Sequence, residues 1–576
     1  MAGAVSWIEG QLRAIPQRVA TARNSINSGA QTACIAVHNC VISSDAAFHA
    51  LSVCLPPFCS TCWLKDWGMV TKYCGPIFSG SFFTALSNAL SAMAELSRFL
   101  ERPDVQKKLT SLPPAMVSGD TLYTTCTVSC DLLTGTAVSI VQITGHILSL
   151  HAEQVDAAHI EALDNGDYEE DDDVPIGPRK LPAPIPQLAA ALRDSKLLAS
   201  LARAITASTG PNFLYLPGQT GHTRVATENA AALSDAGVVS QLPTHMEPLR
   251  FADALPLLHK ASLTLEMVGG APASRAHQQI DEALFHPDVA ALRLAMLETL
   301  WEQAGVRPED DTEGCGNSKA GAKKPAPPAA HMSESQQQML WAHHGNIVLA
   351  SLGLWQAARA EGPEKGRLPS PPGMPTGLWL AQLAARSAQA MSRLCRGQGL
   401  GGTYDACTRR QFMGQATFNT LLCVEEPEAW SVPEAAFWAE AGAWLLAAAV
   451  EGLEVALAGP GRSSKDPDQV VGAQDLAQAV AQALGALEDA AELLGDVWPR
   501  GGGPTGRDAL RHRLQGVGLD ASLDRTLALA SAAAKRAEAP RASPGDVAVA
   551  SFLGDAEEQA QAIREGLGLR GPGKGK

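Results

Sequence analysis

The sequence predicts an all-α protein of irregular stacked helix pairs, of the HEAT/armadillo kind or in helical-bundle blocks, joined by disordered linkers. Three observations carry this. Alanine and leucine, strong helix formers, dominate the apolar residues, while the aromatic residues that favour strands make up only 5% of the chain. Where apolar residues are periodic, they recur at steps of three and four, the period of a helix face. Between these stretches lie segments too rich in Pro, Gly and charge to bury a core. A chain of 576 residues needs several such blocks, because single cores stop growing at about 250 to 300 residues.

The first block covers residues 1–160 and is rich in cysteine. Ile8, Leu12, Ile15 and Val19 set a helical spacing at its start, with an interruption expected near Pro16. Arg13, Arg18 and Arg23 against the single acid Glu9 also fit an organelle transit peptide over residues 1–44. The other reading is an ordinary first helix, since the apolar pattern runs on past Ile35. Leu132 to Leu150 is the most apolar stretch of the block, and Trp438 to Leu457 its counterpart later in the chain. Thr134, Thr136, Gln142, Thr144 and His146 interrupt the former, and Glu440, Glu451 and Glu454 the latter. Both are expected to be buried helices, and no transmembrane segment is assigned.

Residues 161–186 form an acidic, Pro-rich linker. Glu169, Glu170, Asp171, Asp172 and Asp173 repel one another and lack the alternation and central Gly of a calcium loop, so a solvated segment is expected. In the block 187–306, Leu188, Leu192, Leu197, Leu198, Leu201 and Ile205 trace one helix face, with Arg193, Asp194 and Lys196 opposite. A linker at 307–335 carries Lys319, Lys323 and Lys324 among Gly, Ala and Pro. A Trp-containing block spans 336–458, and a short linker, 459–469, leads to a helical hairpin region at 470–570. There Leu476, Val480, Leu484, Leu487, Ala491 and Leu494 keep a near-heptad spacing. A Pro-Asp-Val step between apolar helices occurs twice, at Arg102 to Val105 and at His286 to Val289, as a degenerate stack of helix pairs would leave behind.

The phrases PQLAAALRDSKLLASLARAI at 186–205 and HPDVAALRLAMLETL at 286–300 resemble segments of Ala-rich helical proteins of green-algal type. The excess of Arg over Lys and the abundance of Ala, Gly and Pro fit the GC-rich coding of such proteins. The resemblance implies the fold class and transfers no active-site residue.

The composition also limits the chemistry. A net charge of −15 argues against an extended nucleic-acid interface, which needs clustered Lys and Arg along one face. Twelve cysteines scattered among helical segments do not form a short, dense disulfide framework, so the cytoplasm or another reducing compartment is expected. Six of them lie between Cys34 and Cys74, beside His38 and His49. Cys54, Cys59 and Cys62 have the spacing of a plant-type ferredoxin loop, but Pro56 and Pro57 remove backbone donors and the next cysteine comes too soon. Zinc fits better, with Cys59 and Cys62 as a knuckle and Cys54 and Cys74, or His49, completing four ligands. The competing reading is packing, because a free cysteine behaves as a small hydrophobe. Cys34, Cys40, Cys126 and Cys130 fit that role on apolar helices.

No nucleotide or nucleophile signature is present. The glycine patterns at 397–402 and 566–571 follow no strand, and GNSKAGAK at 316–323 has Ala322 where a phosphate loop needs lysine. His343 and His344 are adjacent and diverge on a helix, and Asp156 with His159 gives one isolated pair. The sequence therefore points to a non-catalytic helical scaffold that binds protein partners. The alternative is a metal-binding protein or enzyme with zinc, rather than iron–sulfur, at Cys54, Cys59, Cys62 and Cys74.

Overall fold

The computed structural model describes residues 2–29, 32–54, 67, 79–111, 119–164, 181–209, 247–268, 270–306, 376–395, 430–458, 467–501, 504–540 and 542–569. Among them every regular element is an α-helix, as the composition and periodicity predict. The chain divides into two compact units, Met1–Met296 and Leu297–Lys576.

The first unit opens with α1 (Ala2–Asn27), α2 (Ala33–Cys54) and α3 (Gly80–Glu101). Val5, Ile8, Leu12, Ile15, Val19, Ala22 and Ile26 alternate steps of three and four, and each is at most 3% exposed against α2 and α3. The expected interruption at Pro16 does not occur, and α1 runs through it. A proline inside a helix costs about 3 kcal/mol. Burial of one large aliphatic side chain returns about 1.5–3 kcal/mol, and α1 buries six of them, Val5, Ile8, Leu12, Ile15, Val19 and Ile26, so packing prevails.

Helix α3 starts where the Ser79 hydroxyl accepts the Phe82 N–H at 3.3 Å, an N-cap. It is the centre of the unit, touching α1, α5 (Gly119–Asp164), α6 (Pro184–Ser195) and α7 (Leu197–Thr209), while α4 (Pro103–Ser111) follows it directly. Within α5, Ser129–His151 is long and apolar enough to cross a membrane, with mean hydropathy 1.3, and 72% of it is buried among the other helices. Helices α6 and α7 correct the expectation of one continuous helix. Lys196 between them adopts φ 53°, and its N–H bonds Arg193 O at 3.2 Å. From Leu192 to Leu197 the apolar step is five, so a straight helix would turn Leu197 away from the face it shares with Leu188 and Leu192. The break restores burial of Leu197, Leu198, Leu201 and Ile205, each at most 1% exposed.

Helix α8 (Glu247–Val268) lies along α5, and α9 (Ala271–Leu284) packs on α8 and α6. The close approach of α8 depends on Gly145, where a Cβ would stand 3.1 Å from Leu257 Cβ. The unit boundary falls within α10 (Pro287–Gln303). The two Pro-Asp-Val steps are the starts of α4 and α10, built alike. Arg102 O accepts from Val105 and Gln106, and His286 O from Val289 and Ala290, at 2.9 to 3.1 Å. Proline at the first helical position has no donor to waste, and Asp104 and Asp288 follow it where the helix dipole favours a carboxylate.

The second unit contains α11 (Thr376–Cys395), α12 (Val432–Ala458), α13 (Pro467–Gly501), α14 (Pro504–Val517), α15 (Leu519–Ala537), α16 (Pro544–Phe552) and α17 (Ala556–Leu567). Helices α12 and α13 pair at its centre, α11, α14 and α15 lean on α12, and α16 and α17 lean on α13. Leu476, Val480, Leu484, Leu487, Ala491 and Leu494 are all fully buried, which accounts for their heptad spacing. In α12 the glutamates that interrupt the apolar run find arginines. Glu454 takes a two-pronged hydrogen bond from Arg525, and Glu440 lies 3.4 Å from Arg513. The glycine pattern at 566–571 is structural too. Gly566 meets the Ala491 backbone, and Gly568 caps α17 at φ 61°.

Candidate functional site

Ser262, His277 and Asp281, the residue types of a catalytic triad, meet between α8 and α9. His277 and Asp281 stand one turn apart on α9, and Ser262 faces them from α8. The Ser262 Oγ lies 2.9 Å from His277 Nδ1 and donates to Asp281 Oδ1 at 2.5 Å, while His277 Nε2 is 3.5 Å from Asp281 Oδ2. In a working triad the imidazole stands between nucleophile and carboxylate and takes the hydroxyl proton. Here the three close into a ring in which the hydroxyl proton points at the carboxylate. Ser262 is also 0% exposed, so no substrate carbonyl reaches its oxygen. The ring ties α8 to α9.

Two further groups extend it. Arg293 of α10 is 1% exposed, and its guanidinium donates to Leu284 O at 2.9 Å, at the last turn of α9, and to Val289 O at 3.4 Å. Burial lowers its pKa to about 9, which leaves it charged at neutral pH. His259, one turn before Ser262, has a buried Nδ1 without a hydrogen-bond partner. Burial, then the charges of Arg293 and His277, lower its pKa to about 4, so it is neutral at pH 7. The sequence reading missed this cluster because its members come from three helices. The one local sign is the His277 to Asp281 step of four.

A second polar cluster joins α3 to α7. Ser200 Oγ lies 2.7 Å from Ser87 Oγ and 2.9 Å from Ser91 Oγ, and Arg203 donates to Ser91 and Ser200 at 3.2 Å. Ser87 and Ser200 are at most 3% exposed. Again the polar groups answer one another between helices.

The cysteines that are described behave as packing residues. Cys40, Cys126 and Cys130 are free and at most 1% exposed. Burial pushes the Cys40 thiol up to about 11 and Cys130 to about 12, and raises Cys126 well above its ordinary value. A protonated thiol is neither a nucleophile nor a metal ligand. Cys34 is half-buried. Of the four cysteines assigned to zinc, Cys54 ends α2 with its side chain outside the described residues, and Cys59, Cys62 and Cys74 lie outside them altogether. Trp67 is described, and its Nε1 donates to Gln154 Oε1 of α5 at 3.1 Å. His49 is exposed on α2. Among the described residues no three His, Cys, Asp or Glu side chains are placed to hold a metal ion. His343, His344, the side chains of Asp156 and His159, and the lysines at 319, 323 and 324 also lie outside the described residues.

No family model matches the chain, and no curated protein matches it.

Proposed function

We propose that the protein is a non-catalytic helical scaffold that binds protein partners through an apolar helix face. The observation that carries this reading is on α2. Ile35 and Ile42 are 60% and 50% exposed, stand two turns apart on one side of the helix, and flank the exposed His38 and Asn39. Large aliphatic side chains at i and i+7 form the anchor pattern by which helices dock in grooves, and each is worth about 1.5–3 kcal/mol when a partner covers it. The closed polar clusters between α8 and α9 and between α3 and α7 support the same reading, because their groups are engaged in holding helices together.

Replacing both isoleucines, as I35S/I42S, tests it. Exposed positions tolerate substitution within about 0.5 kcal/mol, so the variant should melt with the unmodified protein. Its recovery of co-purifying proteins from native extract should fall at least tenfold. An unchanged set of partners at unchanged yield would contradict the reading.

The alternative, structural zinc at Cys54, Cys59, Cys62 and Cys74, rests on the sequence spacing. Under the scaffold reading, elemental analysis of protein purified without chelator gives less than a tenth of an equivalent of zinc or iron. Near-stoichiometric zinc, with collapse of the C59A/C62A variant, would establish the alternative, since structural zinc supplies on the order of 10 kcal/mol of folding free energy.

A further inference from the structure

We propose that the junction of α8, α9 and α10 is an acid-sensitive fastening, released when His259 and His286 take up protons. Each histidine occupies a place that favours the neutral ring: His286 caps the start of α10 through Nδ1, and His259 is buried beside Arg293 of the same helix.

His286 immediately precedes Pro287, and its Nδ1 accepts the Asp288 N–H at 3.3 Å. The ring thus serves as the cap of α10, satisfying one of the donors that a helix start leaves free. A proton on Nδ1 abolishes the acceptor and sets a cation at the positive end of the helix dipole. Three charged groups face the ring. Asp288, 3.6 Å away, favours the proton, while Lys196 at the α6–α7 break and Arg203 of α7 oppose it. Burial opposes it most, so the net direction is a lowered pKa.

His259 presents its buried, unpartnered Nδ1 to the same junction from α8. The charged or titratable groups facing it are Arg293 of α10 and His277 of α9. The other helix on α8, α5, approaches through Gly145 against Leu257 and the Ala254 carbonyl. Arg293 is the side chain that ties α10 to the end of α9. A proton on His259 therefore places a second positive charge beside the buried guanidinium on which that tie depends.

The direction follows by linkage. Both rings have lower pKa values closed than open, so the open form binds more protons in acid. The fastening is complete above the ordinary histidine value and weakens as pH falls through it, for His259 down to about 4. Between pH 7.5 and 5.5, His259, neutral when closed and ordinary when open, favours opening roughly tenfold, and His286 adds to this in the same direction.

Amide hydrogen exchange on the full chain, corrected for the intrinsic pH dependence of exchange, reads this directly. Protection in α8, α9 and the start of α10 should fall roughly tenfold or more over that range, with less than a threefold fall in α1 and α3. His286→Asn keeps a capping acceptor that does not titrate, and His259→Leu removes the other ring. H259L/H286N should lose the acid response, and if His259→Leu does not fold, H286N alone should reduce it. An equal loss of protection in α1 and α3, or an unaltered acid response in the variant measured, would overturn the proposal.

Discussion

Replacing Gly566 by alanine is expected to destabilise the second unit by about 3 kcal/mol, although helix propensity alone would predict a gain of about 1 kcal/mol. At this position α17 rides directly on α13. A Cβ would lie 2.7 Å from the Ala491 carbonyl carbon and 2.9 Å from its Cβ, and closer still to its oxygen. No rotamer relieves a clash with backbone, so the helices must separate, and Gly495 facing Gly566 shows that α13 is already as narrow there as it can be. Leu567 and Ile563, at most 1% exposed, would lose their packing with the shift. Gly485 supplies the control. It lies in the same helix α13 with open space where its Cβ would stand, so Gly485→Ala should stabilise by up to about 1 kcal/mol. Urea unfolding of the two variants checks the pair, and stabilisation by both would mean that α17 does not sit on α13.

Truncating Arg293 to alanine should be at least as damaging to the first unit, at about 3–5 kcal/mol. The side chain is the largest fully buried one among the described residues. Its loss opens a cavity and strips the Leu284 and Val289 carbonyls of a charged donor in a place water does not reach. Arg293→Met separates the contributions. Methionine refills most of the volume and ends the unfavourable burial of a charge, so it should cost clearly less than alanine, about half. If alanine at this position unfolds within 1 kcal/mol of the unmodified protein, the tie between α9 and α10 lies elsewhere.

Periodicity made the helices legible wherever one face alone is buried. The stripe from Leu476 to Leu494 lies fully in the core, as its spacing requires, and so does the stripe of α1. Local rules failed where tertiary packing outweighed them. Pro16 suggested a break that the buried residues on both sides override, while the run from Leu188 to Ile205 looked continuous and yet bends at Lys196. The bend is visible in the sequence only as a step of five between Leu192 and Leu197. The packing role of Cys40, Cys126 and Cys130 could be read from their apolar neighbours. The ring of Ser262, His277 and Asp281 could not, because helices α8 and α9 must first be placed side by side. Nor could the exposure of Ile35 and Ile42, since the apolar residues of α2 are spread round the helix and its sequence does not say which side lacks a neighbour.

The exposed face of α2 is the centre of the functional account, and a photocrosslinking residue at His38, between the two isoleucines, interrogates it most directly. Illumination in the native cell should give discrete adducts to protein partners from this position. The same residue at Glu557, exposed on α17, should give none of these adducts, and I35S/I42S should abolish them. No adduct at His38, or the same adducts from both positions, would contradict a partner-binding face on α2.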